Sequence, residues 1–187
     1  MSDSIRVIGP EDWTSMPWRN GGGITSEIVA ERRNGALLWR LSTAVVDADG
    51  PYSDFPGLTR ISTVIAGKGT EIRDMPDGEW RPVAPLSPTL IEGSCRIQGR
   101  LTDGAIRYLN LFFDPTRLSA QVSICRLDGS AAWANERCMI FCVEGHCEMA
   151  PSPGAKVGRM DCAINLPTAA NLLGSATLVT ITLRETP

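Results

Sequence analysis

The chain has 187 residues, 43% hydrophobic and 21% charged, with a formal net charge of -3. That length can bury a sizeable core, in one ordinary domain or two small fused ones, and the composition is that of a globular protein. The basic residues, sixteen of them Arg, are scattered without forming a stripe, which argues against nucleic acid or an anionic membrane as partner.

Met1-Ser2-Asp3-Ser4 lacks the basic and apolar regions of a signal peptide. No run reaches the roughly eighteen apolar residues of a membrane span, so a cytoplasmic location is expected. Pro10-Glu11-Asp12-Trp13 predicts a single helical turn with acids near its start. The most distinctive stretch follows, Met16-Pro17-Trp18-Arg19-Asn20-Gly21-Gly22-Gly23. Trp18, Arg19 and Asn20 offer a stacking surface, a fixed charge and an amide, while Gly21, Gly22 and Gly23 let a ligand or another chain approach the backbone. The plainer alternative is a tight turn before an edge strand, with Trp18 in the core. A phosphate loop is excluded, because Ile24, Ser26 and Ile28 alternate with Thr25, Glu27 and Val29 as in a strand, and no helix N-terminus follows the glycines.

Farther along, Asn34-Gly35, Asp49-Gly50, Asp77-Gly78, Asp103-Gly104 and Asp128-Gly129 read as turns. Between them lie alternating runs at 37–46, 59–66, 106–113, 139–143 and 176–183, and the proline-rich stretch from Asp74 to Pro88 reads as an irregular connection. Many short strands at such spacing predict an all-β sandwich or barrel. Two segments look alike, Val64 to Ile72 around Gly67 and Cys142 to Met149 around Gly145. Each reads as a hairpin of the kind jelly rolls repeat, and the pair suggests two related β-barrel halves. The six cysteines are too spread out for a compact disulfide framework and are expected to be reduced strand residues.

The residues 16–23 block, Trp39-Arg40-Leu41-Ser42, the run Asp49-Gly50-Pro51-Tyr52-Ser53-Asp54-Phe55-Pro56-Gly57, Arg60, the segment around Gly67 and Leu109-Asn110 together resemble the HutD/Ves family of the cupin superfamily. The resemblance is specific over roughly residues 5 to 113 and architectural beyond. The chain departs from the family pattern at Tyr108, where an acidic residue is usual, and at Phe112-Phe113-Asp114, where more polar or basic residues are usual. The resemblance implies an all-β, two-barrel, cupin-like (jelly-roll, RmlC-like) fold, with a first barrel over 1–115 and a second over 116–187, packed as one compact unit. It also implies a cytoplasmic bacterial protein linked to histidine utilisation, which binds a pathway metabolite and moderates expression of the operon, with no established catalysis.

The residues limit the chemistry. Cupin metal sites use two or three His and a Glu, whereas this chain has one His, so such a site cannot be built within one subunit and no cofactor is expected. His146 with Cys142 and Cys147 would make a ligand set only if no turn intervened, and Glu144-Gly145 reads as that turn. A Ser-His-Asp or Cys-His pair would have to recruit the same lone His. Glu27, Asp47 and Asp49 are the candidates for a general base, with Asp49 reading better as a turn residue.

Binding is better supported. Arg40 and Ser42 share one strand face and Trp39, Leu41 and Thr43 the other, while Arg60 shares its face with Ser62 and Val64. An Arg facing into the barrel would present a planar fork to a carboxylate, and Trp18 or Trp39 could pack on a flat ring. The expected binding set is Trp18, Arg19, Asn20, Gly21, Gly22, Trp39, Arg40, Ser42 and Arg60, and the expected partner is a small anionic metabolite such as urocanate or a formyl- or formimino-glutamate. The competing reading is a metal-free isomerase or hydrolase acting on the same compounds. A homodimer is left open.

Overall fold

The computed structural model describes residues 4–18, 23–134, 138–150 and 155–186. The chain divides into two units, one made of residues 14–118 and the other of the first thirteen residues with 119–187. The division expected at 115/116 is thus displaced at the N-terminus, whose first strand, β1 (Arg6–Ile8), pairs with a late strand of the chain. Pro10–Asp12 forms one 3-10 turn.

The 14–118 unit contains β2 (Thr14–Pro17), β3 (Gly23–Arg33), β4 (Ala36–Val46), β5 (Gly50–Pro51), β6 (Thr59–Ala66), β7 (Thr70–Asp74), β8 (Arg81–Val83), β9 (Thr89–Glu92), β10 (Ile97–Leu101) and β11 (Ile106–Phe113). Among the described residues one sheet runs in the order β2-β3-β4-β11-β6-β9 and another β5-β10-β7-β8, with antiparallel neighbours throughout. Ala44, Val46, Val64, Ile106 and Tyr108 of the first sheet meet Ile72, Val83 and Ile97 of the second in a buried cluster, the sandwich that strand alternation requires. β3 and β4 are joined by Asn34-Gly35, with φ of 52° and 79°, the paired positive values of a two-residue hairpin turn.

The other unit contains β1, β12 (Leu118–Ala134, its first residue in the 14–118 unit), β13 (Cys138–Ala150), β14 (Lys156–Val157), β15 (Cys162–Ile164) and β16 (Ala169–Glu185). Among the described residues its sheet runs β1-β15-β13-β16-β12, with β14 beside β13. Ile140, Cys142, Cys147, Val157, Leu172 and Leu178 form the centre of its core. No described helix is long and apolar enough to cross a membrane. The fold is all-β and jelly-roll-like.

Both predicted hairpins are corrected. The Gly67-Lys68-Gly69 turn joins β6 to β7, but these strands do not pair, because β6 lies between β11 and β9 and β7 between β10 and β8. The turn instead carries the chain from one sheet to the other. At Glu144-Gly145 the strand does not turn at all. β13 pairs with β16 through both residues, with an irregularity between Cys142 and Glu144. Gly145 absorbs this distortion with φ of 80°, packed so closely on the Ser175 carbonyl that a Cβ would collide. Asp128-Gly129, read as a turn, lies inside β12, and the stretch from Asp74 to Pro88, read as irregular, contains β8.

Candidate functional site

In the 14–118 unit β11 lies between β4 and β6, and its register aligns side chains from the three strands into rows. Arg40, Phe112 and Arg60 form the first row, Ser42, Asn110 and Ser62 the second, and Ala44, Tyr108 and Val64 the third. Period-two alternation puts all three rows on one face. The first two rows, with Ala44 and Tyr108 of the third, line a cavity of about 480 Å³, counting its open mouth. Trp18, Thr25, Val46, Tyr52, Ser53 and Phe55 complete the wall.

Arg60 is only 9% exposed. Its guanidinium carbon lies 5.8 Å from the ring centres of both Tyr52 and Phe112. The Arg40 guanidinium stands 4.6 Å from the Phe112 ring and 5.5 Å from that of Phe55, and those two rings pack at 4.5 Å. Cation–π attraction therefore holds both guanidinium groups. Neither Arg is in an ion pair among the described residues. Burial pulls both guanidinium pKa values below the ordinary arginine value, opposed at Arg40 by the field of Glu27 and at Arg60 by Tyr108 and Tyr52. Burial likewise pushes the Tyr108 hydroxyl pKa up.

Two buried polar atoms of the lining, Arg40 Nε and Ser42 Oγ, have no hydrogen-bond partner among the described residues, while the Tyr52 hydroxyl interacts with that of Tyr108. Ser62 Oγ donates to Asn110 Oδ1 at 2.7 Å, and the Asn110 amide nitrogen has no protein partner among the described residues. Buried polar groups in folded proteins are nearly always paired with protein, water or ligand, so these atoms call for a polar partner in the cavity. At the edge of the cavity Trp18 Nε1 donates to Thr25 Oγ1 at 2.7 Å, and the Trp18 backbone N–H donates to the Gly23 carbonyl at 2.9 Å. A Cβ on Gly23 would strike the Val45 carbonyl and press on the Trp18 ring, so this glycine makes room for the indole.

Of the residues expected at the site, Trp18, Arg40, Ser42 and Arg60 are brought together here. Trp39 is not in the lining; on the opposite parity of β4, it donates from Nε1 to Glu31 Oε2 at 2.9 Å. Arg19, Asn20, Gly21 and Gly22 lie outside the described residues. Sequence reasoning missed Tyr52, Phe55, Tyr108, Asn110 and Phe112 as wall residues, although each falls in a block it had singled out. Glu27, Asp47 and Asp49 are absent from the lining, and Asp49 Oδ1 accepts the Leu101 N–H at 2.7 Å. In the other unit His146 is exposed while Cys142 and Cys147 are buried. No three His, Cys, Asp or Glu side chains among the described residues converge as metal ligands.

The HutD family model matches residues 10–180. The chain belongs to the HutD family. It is 34% identical over 167 residues to an uncharacterised 21.2 kDa protein in the hutC 3' region of Pseudomonas putida, covering 84% of this chain and 85% of that one. HutD from Pseudomonas fluorescens SBW25, solved in a formate condition, superposes with a TM-score of 0.81 at 31% identity, over 97% of this chain and all (100%) of that one. The conserved protein of unknown function PA5104 from Pseudomonas aeruginosa PAO1 gives a TM-score of 0.86 at 28% identity, over 98% and 100% of the two chains. The bacterial pirin YhhW of Escherichia coli, at 12% identity and a TM-score of 0.66 over 98% of this chain and 99% of that one, shares the fold alone, which is cupin-like. Membership in the HutD family associates the chain with histidine utilisation.

Proposed function

We propose that the cavity of the 14–118 unit binds a small anionic metabolite of histidine degradation, urocanate or a formyl- or formimino-glutamate, without a metal, and that the protein thereby moderates expression of the histidine-utilisation genes. The observation that carries the binding reading is that the buried Arg60 guanidinium and the half-buried one of Arg40 face one cavity, with no carboxylate in contact with either among the described residues. A planar guanidinium with free N–H groups is the side chain best matched to a carboxylate. The unpartnered Ser42 hydroxyl and Asn110 amide nitrogen supply neutral hydrogen bonds one row away. The regulatory part rests on the family and on the relative found beside hutC.

No carboxylate stands among the described lining residues, which favours binding over acid–base catalysis. The test is a thermal-shift and calorimetric titration of the purified protein with each metabolite, alongside absorbance of the same mixtures. A saturable shift with unchanged absorbance is expected, because a ligand that binds the native state alone raises its stability. Turnover of any of the compounds would favour the enzyme reading, and absence of a shift with all of them would remove the metabolite reading.

A further inference from the structure

The sheets of the two units share one strand order. In the 14–118 unit the run β4-β11-β6-β9 sets the first of these strands beside the last, followed by the second and the third. The run β12-β16-β13-β15 of the other unit repeats that order. β12 therefore holds the position of β4, and there the likeness stops. The outward edge of β4 is covered along its length by β3, with β2 beyond, whereas β12 is the last strand of its sheet among the described residues. Apart from the ladder with β16, no backbone hydrogen bond ties residues 119–134 to another segment among the described residues. An uncovered edge is a template for another strand, and folded proteins ordinarily blunt it with short length, proline or repelling charge. β12 is 17 residues long and has no proline, and its two charged residues, Arg126 and Asp128, are of opposite sign. Both are exposed, and neither is in an ion pair among the described residues. They flank Leu127, so alternation places them on one face of the strand.

We propose that β12 pairs antiparallel with β12 of a second copy of this chain, about a two-fold axis at Leu127. In that register Arg126 stands opposite Asp128 of the partner subunit, and by symmetry Asp128 stands opposite the partner's Arg126. Leu127, at the axis, is turned into its own core. The overlap runs from Gln121 to Trp133 of each copy, which brings Gln121 of the partner subunit opposite Trp133. The Trp133 side chain is only 9% exposed and its Nε1 has no hydrogen-bond partner among the described residues. A glutamine side-chain carbonyl is an acceptor suited to it. Gly129 comes opposite the partner's Cys125. With φ of 88° and nothing within 4 Å of the place of a Cβ, it bends the strand locally without a side chain to obstruct the approach.

The experiment is sedimentation velocity of the ligand-free protein across micromolar concentrations, at low and at physiological ionic strength. A dimer in equilibrium with monomer is expected, weaker at the higher salt because exposed charge pairs are screened. Arg126→Asp sets acid opposite acid at both symmetry-related positions and should raise the dimer dissociation constant at least about tenfold, as should Asp128→Arg, which sets base opposite base. The double variant R126D/D128R restores opposite signs and should return the constant to within about threefold of the parent value. Both side chains are exposed, so the fold should survive these changes, and urea midpoints check that it does. A monomer at every concentration overturns the inference. So does a dimer indifferent to the single reversals, since the copies would then meet elsewhere. Weakening by the single reversals without rescue in the double variant overturns the register at Leu127.

Discussion

Arg60 shows how a charged side chain can be buried beside a cavity with aromatic rings rather than a carboxylate in contact. It is buried against Tyr52 and Phe112 with no acidic partner among the described residues, so its charge is desolvated and faces aromatic rings. Replacement by Ala is expected to lower metabolite affinity by about tenfold to a hundredfold, the roughly 1.5–3 kcal/mol of a charge-assisted hydrogen bond, as read by titration calorimetry. Arg60→Met keeps most of the volume and removes the charge, so the urea midpoint of the ligand-free protein should rise; a fall would mean that the guanidinium stabilises the empty fold. Gly23→Ala is expected to cost about 1–3 kcal/mol of stability through overpacking, because its methyl group meets the Val45 carbonyl and the Trp18 indole. Its urea midpoint against that of the parent checks the size. The face that Arg40 and Ser42 share, and that of Arg60 and Ser62, were legible from alternation alone. Phe112 was not, because its place between the arginines depends on which strand lies between β4 and β6.

At the scale of elements, long-range pairing overrode local turn signals. Asn34-Gly35 behaves as its chemistry predicts, since its neighbours in sequence are its neighbours in the sheet. Glu144-Gly145 carries a similar signal, yet β16 supplies a ladder along the whole of β13 and the local preference survives only as an irregularity. The same contrast gives a test. Ala at Gly35, where φ is 79° and nothing stands within 4 Å of a Cβ, should cost about 1–2 kcal/mol from the backbone conformation alone. Ala at Gly145 adds collision with Ser175 and with the Ala176 Cα at 3.0 Å, so its loss of stability in chemical denaturation should be clearly the larger. Equal losses would show that β13 shifts freely at this point.

The whole molecule should be sensitive to alkali. Burial pushes the Cys142 and Cys147 thiols up to about 11, and that of Cys162 up to about 12, from an ordinary 9.0. Folded values raised in this way mean that the native chain keeps protons the unfolded chain gives up. Their contribution is full below the unfolded value and is lost as pH rises through the folded ones, so stability should decline between about pH 9 and pH 12. Urea midpoints at about pH 8 and about pH 10.5 measure the decline, and Cys162→Ala should make it shallower; an unchanged midpoint across that range would show that these thiols are not protected. What the sequence determined by itself was local: the all-β class from alternation and turn chemistry, the extents of β6 and β11, the family from its motif blocks, and the parity that puts Arg40 with Ser42 and Arg60 with Ser62. Tertiary structure alone decided that β1 joins the C-terminal unit, that Gly67 passes the chain between sheets, and that β11 sets Phe112 between two arginines. Alternation has a period of two along one strand and is written in consecutive residues, whereas strand order and register arise from contacts between residues far apart in the chain.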